Sequence, residues 1–313
     1  MAKTKEAGND TLNAAKLNRE NAAIQHKIDF TFFVEAKNAN PNGDPMGGMP
    51  RTDGAGYGEM TAECIARKIR NAAQVACGQK ILMEAPEYKT SPYNSISETV
   101  AAVSKAPDKM DLADLFWDVR ARGLVFGFTD KAAQGNPIKG PLSIQLGKSL
   151  DPVEVVFTQI TKCCNANPPK KKGNENSADG EEDNSNGMSS DRIGMKSTVR
   201  YGVYRINGSI HTLAAAVTGF SEEDAEVLKQ AILHMFAVDF STARPIGSMR
   251  VVTLYWVEHS CKLGDCSSAK VFDAIKAEKK PGVETPNCID DYVFSIDQSK
   301  LPEKLKVTEY EGW

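Results

Sequence analysis

Arg67, Lys68, Arg70 and Asn71 sit together in a segment whose apolar residues recur at helical spacing. A helix there carries cationic side chains in a short row, which suits either plain solvation or the phosphates of a nucleic acid. A second concentration follows: Arg192, Lys196, Arg200 and Arg205, interleaved with Tyr201 and Tyr204. Cations and aromatic rings on an open sheet hold a single strand, the phosphates by charge and the bases by stacking.

Other chemistries find weaker support. The chain has four histidines, His26, His211, His234 and His259, and none stands in a Ser/His/Asp or Cys/His signature. A metal-independent ribonuclease could use one of them as a general base. Asn38-x-Asn40-x-Asn42-Gly43 echoes the start of a calcium loop, but Pro41 disrupts its backbone and Met49 occupies the place of the bidentate glutamate. Gly54-x-Gly56-x-Gly58 resembles a dinucleotide fingerprint whose third glycine falls one residue early, so it reads better as backbone brought close to a neighbour. His259, Cys261, Cys266 and Cys288 form the best zinc set, yet no paired-cysteine knuckle exists, and Cys163 and Cys164 are adjacent. Neither a metal nor another cofactor is expected.

The charge balance points away from nucleic acid only when taken as a whole. The 313 residues hold 38 basic and 41 acidic side chains, a formal charge of −3. The stretch Asn165–Asp191 alone contributes six acids and three lysines, leaving 35 of each sign elsewhere. Three windows, Lys131–Leu150, Arg192–Phe220 and Phe240–Val257, contain no acid at all. Their convergence would make a positive surface on a formally acidic protein. Seven cysteines in a chain of this size, with no secretory leader, fit reduced thiols and a cytoplasmic setting. No apolar run approaches the roughly 18 residues that a membrane span needs.

The elements that must position these groups are legible in part. Ile28–Glu35 alternates apolar and polar residues and predicts a half-buried strand. Asn38–Gly58, dense in Gly, Pro, Asn and Asp, predicts a long loop. Thr61–Cys77 predicts a helix buried through Ile65, Ile69, Ala72 and Ala76, with Arg67, Arg70, Asn71 and Gln74 on the other side and Lys68 beside them. After the irregular stretch Gln79–Lys109 come a short helix at Asp111–Val119 and strands at Gly123–Phe128, Leu142–Leu146 and Val153–Ile160. Asn207-Gly208 between apolar alternations predicts a hairpin turn. Ser221-x-x-Asp224 predicts a capping box opening a helix over Glu222–Val238, with Phe220 stapled to Ala225. Arg250–Val257 predicts a final strong strand. The order β-α-β-β-α-β is that of an α+β, ferredoxin-like (RRM-like) sheet with two helices on one face, although Arg200-Tyr201-Gly202-Val203-Tyr204 matches the RRM aromatic pattern only loosely. Asn165–Asp191, with three apolar residues and no aromatic, predicts a mobile projection between two strands.

Several longer stretches together resemble a known family. FVEAKNANPNGDPMGGMPRTD (Phe33–Asp53), GYGEMTAECIARKIRN (Gly56–Asn71), DVRARGLVFG (Asp118–Gly127), IKGPLSIQLGKSLDPV (Ile138–Val153), MKSTVRYGVYRINGSI (Met195–Ile210) and GFSEEDAEVLKQAILHMFAVDFSTAR (Gly219–Arg244) resemble, in order, the CRISPR-associated Cascade backbone proteins of type I-C and I-B systems. The run from Asp151-Pro152-Val153 to the Gly-Val-Tyr-Arg segment fits type I-C best. The resemblance implies one RRM-like palm over 28–296, with finger and web insertions at 36–60 and 79–120. It also implies a thumb at 151–198 with its tip at 165–191; a polar leader at 1–27, which departs from the family, and a tail at 297–313 are expected to flank the palm. It further implies a non-catalytic subunit that polymerises along a crRNA guide beside other Cascade subunits and presents bases to a target DNA strand, with no membrane partner. Carried over by motif, Arg67, Lys68, Arg70 and Asn71 would grip guide phosphates. Asn40, Asn42 and Arg51 of the first loop, Lys139, Lys196, Arg200 and Tyr201 would complete the groove.

Overall fold

Apolar side chains from both faces of a single strand anchor the molecule. The computed structural model describes residues 18–103, 111–125, 137–161 and 193–313. The leader residues 1–17, Cys163, Cys164, Arg192 and the acidic segment Asn165–Asp191 lie outside the described residues. Strand β1 (Ile28–Ala39) leads through the Gly- and Pro-rich loop to β2 (Tyr57–Met60) and helix α1 (Ala62–Val75). A 3-10 turn at Pro86–Tyr88 precedes α2 (Ile96–Val103), α3 (Asp111–Leu115) and α4 (Trp117–Arg122). Five short strands follow: β3 (Gly123–Leu124), β4 (Ile138–Lys139), β5 (Leu142–Ile144), β6 (Gly147–Pro152) and β7 (Val155–Thr161). The long β8 (Ile193–Ile210) precedes α5 (Thr212–Thr218), α6 (Glu222–Leu233), α7 (Met235–Val238) and β9 (Met249–Glu258). The chain closes with α8 (Ser268–Ala274), β10 (Ile275–Lys279), β11 (Tyr292–Ile296) and β12 (Lys306–Glu311).

The result is a mixed α+β fold around an antiparallel sheet. Its strand order is β12-β9-β1-β8-β6-β2, with β5 and β7 also paired to β8. On one face, Phe30, Phe32 and Val34 of β1 pack with Ile206 of β8, Leu254 of β9, Ile65 and Ile69 of α1, and Leu228 and Ile232 of α6. The half-buried strand predicted at β1 is buried on both faces. On the reverse side Phe33 packs with Tyr201, Tyr255, Val271, Ile275 and Tyr292, so the C-terminal segment covers what would have been solvent. A separate small core, built from Leu82, Val100, Leu112, Phe116, Val119, Leu124 and Ile138, holds the insertion after α1 together.

Capping signals are obeyed. Thr61 Oγ1 accepts the Cys64 amide at the start of α1, and Ser221 and Asp224 exchange both hydrogen bonds of a capping box. The helix predicted over Glu222–Val238 is interrupted at His234, whose φ of −99° and ψ of 5° divide α6 from α7.

The hairpin at Asn207-Gly208 is corrected: both residues lie inside β8, opposite Thr31 and Phe30 of β1. Asn207 accepts the Thr31 hydroxyl at 2.9 Å and donates to Gln145 Oε1 at 3.1 Å. A Cβ at Gly208 would fall within the Phe30 ring, so this glycine serves a close approach and not a turn. Gly58 has the same reason, since a Cβ there would meet the Tyr204 ring and hydroxyl. The residues expected as a tail after 296 supply β12, which pairs with β9 from Lys306↔Glu258 to Glu311↔Thr253. Among the described residues no helix is long and apolar enough to cross a membrane.

Candidate nucleic-acid interface

The first loop is held from within. Asn40 is buried; its Nδ2 donates to the Gly48 carbonyl at 2.8 Å, while its Oδ1 has no partner. Asn42 Oδ1 accepts the Thr61 amide at 2.8 Å, so this side chain ties the loop to the first turn of α1. Arg51 reaches Asp44 at 3.6 Å and leaves a buried Nε without a partner. Asn40 and Asn42 therefore shape the loop, and Arg51 offers the unsatisfied donor.

Helix α1 carries its basic residues inward and not on a solvated face. Lys68 is 3% exposed. Its ammonium pairs with Asp239, just after α7, and lies 5.6 Å from the centroid of the Phe236 ring. Arg244 donates to the same carboxylate at 2.8 Å. Burial alone would raise the Asp239 pKa, but Lys68 and Arg244 outweigh it and hold this carboxyl below its ordinary value. Asn71 is also buried, with Oδ1 unpaired. Arg67 donates to the Met83 carbonyl at 2.5 Å, and Arg70 Nε lies 3.4 Å from Asp118. Arg67 also borders a cleft of about 340 Å³ lined by Lys89, Tyr93 and Asn94.

The strand residues divide between two faces. Tyr201 and Tyr204, three apart on β8, project to opposite sides and both are buried, one in each core. The expected open platform with both rings available is therefore absent at these positions. Tyr201 donates its hydroxyl to Glu35 at 3.1 Å, and burial followed by the Glu35 charge pushes its pKa up. Glu35 in turn accepts Arg250 Nε at 2.7 Å. Arg200, 67% exposed at its side chain, pairs with Glu154 at 3.1 Å beside a cavity of about 360 Å³ that Tyr201, Asp151 and Tyr292 also line. Lys196 sits opposite Thr158 in the β7–β8 ladder, and Lys139 is exposed on β4. Arg205 is tied by Nη2 to the Phe272 carbonyl.

The structure thus groups Asn40, Asn42 and Arg51 with the start of α1. It places Lys196, Arg200 and Tyr201 along β8 and leaves Lys139 on a separate two-stranded ribbon. Sequence reasoning did not single out Arg244 or Arg250, although both lay in an acid-free window, nor Lys37, which is exposed and faces Tyr201 in register. Lys148, which pairs with Asp53 at 2.7 Å and lies 4.9 Å from the Tyr57 ring centroid, was missed as well. For metal, both nitrogens of the His259 ring are engaged, by Asp29 at 2.9 Å and by the Asp265 amide at 2.9 Å. Among the described residues, no group of three or more His, Cys, Asp or Glu is arranged to hold an ion.

Comparison with known proteins gives a family match and matches to solved structures. A family profile described as CRISPR-associated protein Cas7 matches residues 26–297. The curated proteins give no match. One solved structure described as "CRISPR RNA-guided surveillance complex, pre-nicking" aligns at 12% identity and a TM-score of 0.45, covering 74% of this chain and 78% of that one. Another, described as "CRISPR RNA-guided surveillance complex", aligns at 11% identity and a TM-score of 0.41, covering 74% and 68%.

Proposed function

The chain belongs to the CRISPR-associated Cas7 family, and from that premise we propose that it is a non-catalytic backbone subunit of a type I surveillance complex that coats a crRNA guide. The observation that carries this reading is the family match over residues 26–297. The strand order β9-β1-β8-β6, with α1 between β1 and β6 in the chain and α6 between β8 and β9, supports a ferredoxin-like palm. The separate core of the 79–124 region supports reading it as an inserted finger or web. The motifs from Asp151 to Arg205 favour type I-C.

In this reading the protein binds phosphates and leaves bases free, since spacers vary and Watson–Crick pairing with target DNA must read the sequence. Exposed Lys37, Lys139 and Arg200, with Lys196 and Arg51, are the side chains best placed to offer charge. Lys68, Asn40 and Asn42 act one step back, by fixing α1 and the first loop. Copies joined by unlike surfaces form an open helical filament along the guide, next to other subunits.

Purifying the chain with its bound nucleic acid and sequencing that material tests the reading. A uniform repeat-spacer RNA is expected, with assembly mass rising stepwise as guide length increases. Cleavage of repeat RNA that is lost on His211→Ala would replace this reading with that of a processing ribonuclease.

A further inference from the structure

Strands β6 and β7 meet β8 in registers that differ by one residue. Ser149 stands opposite Tyr204 and Val155 opposite Val199, so the β6–β7 side carries one residue more over this stretch. A bulge of that kind bends its strand away from the ladder, and residues 150–153 have no β8 partner there. The loop 285–287, between β10 and β11, closes the other side. Asp291 holds that loop, its Oδ2 accepting the Asn287 amide at 2.7 Å and the Cys288 amide at 3.1 Å. Between the two lies the cavity of about 360 Å³, walled by Tyr201, Tyr292, Pro152 and Pro286.

The polar lining of this cavity is short of donors. Asp151 Oδ1 lies 2.9 Å from Lys279 Nζ, and its Oδ2 accepts the Tyr292 hydroxyl at 2.7 Å. Each oxygen keeps one lone pair. Glu154 Oε2 accepts Arg200 Nη1 at 3.1 Å, and Glu154 Oε1 has no partner among the described residues. The Tyr201 hydroxyl is spent on Glu35. Burial, and then the bond to Asp151, pushes the Tyr292 pKa up, so its proton stays on the phenol and in that bond. Arg200, the one cation of the lining, stands at the rim. Both it and Glu154 are more than half exposed at their side chains, and an exposed pair of this kind contributes little and exchanges readily.

Two carboxylates repel a phosphate and attract a cation. Among cations the guanidinium fits best here: it is planar, weakly hydrated, able to fork onto a carboxylate and to lie against an aromatic ring. We propose that this cavity binds an alkylguanidinium group, carried by a small metabolite or by an arginine side chain of another protein, with Asp151 and Glu154 as its acceptors. Arg200 is the internal competitor, which the guest displaces from Glu154. The site goes beyond the coating function and does not depend on it.

The test titrates the full chain, free of nucleic acid, with agmatine by calorimetry and with a dye-labelled Gly-Gly-Arg-Gly-Gly peptide by fluorescence anisotropy. The matching citrulline peptide keeps the shape of the side chain without its charge. At least one guanidinium probe should bind, and the citrulline peptide should not. Glu154→Gln should weaken binding about tenfold, the effect of one charge-assisted contact. Its melting temperature should stay at the wild-type value, because Glu154 is exposed. Arg200→Ala should strengthen binding about two- to fivefold, the worth of an exposed ion pair. Binding of agmatine alone assigns the site to a free metabolite, and binding of the arginine peptide, with or without agmatine, assigns it to a protein side chain. Binding of neither probe, equal binding by Glu154→Gln, or weaker binding by Arg200→Ala would overturn the site. No RNA enters these measurements, so failure of the coating function would leave them unchanged.

Discussion

Burying an ammonium group is costly unless a carboxylate and good hydrogen bonds meet it, and Lys68 finds both in Asp239. Lys68→Ala removes one partner of a buried pair and should cost about 3 kcal/mol, read from urea denaturation. A charge-reversing Lys68→Glu should prevent folding, because it sets two carboxylates against each other beneath α1. The pH dependence follows from Asp239, whose folded pKa lies below its ordinary value of 3.8. A depressed carboxyl contributes its full stability above the unfolded pKa and loses it as pH falls through the folded value. The stability difference between wild type and Asp239→Asn should therefore shrink between about pH 5 and about pH 2. A constant difference across that range would remove the pair from the acid response.

Strand β8 carries the next expectation. Gly208 lies in extended backbone beneath the Phe30 ring, so space alone sets the cost of adding a methyl. Gly208→Ala should destabilise by about 1–3 kcal/mol through overpacking, and Phe30→Leu should recover part of that loss in a double-mutant cycle. Additive effects of the two substitutions would contradict the contact. Helix α6 depends on a different device. Ser221→Ala should cost about 1 kcal/mol through the lost cap. Asp224→Asn should cost more, since Asp224 also receives both Nε and Nη2 of Arg120, at 2.9 and 2.8 Å. Thermal melts of the two variants give the ranking directly.

Over the whole molecule, the edge of the sheet matters most. β12 closes the β9 edge, and Trp313 beyond it lies 5.3 Å from the His234 ring. Removing residues 306–313 would bare the β9 backbone, and such edges invite pairing with other chains. The truncated chain should associate in a concentration-dependent way on size-exclusion chromatography without RNA, where the full chain does not. Equal elution of both would mean that the edge is protected by other means.

Local rules were readable wherever a side chain answers to its own neighbours in sequence. The strand from Ile28, the helical spacing of Ile65 and Ile69, and the Ser221-Asp224 box all appear where the residues placed them, although that strand is buried on both faces. The family resemblance was likewise carried by contiguous motifs. Long-range proximity was not readable, because burial depends on what arrives from elsewhere in the chain. Lys68 becomes an interior residue only because α7 brings Asp239 to it, 171 residues away. Tyr201 loses its exposed face because residues 271–301 fold over the sheet. Asn207-Gly208 has the composition of a turn, and the Phe30 ring across the ladder keeps it a strand.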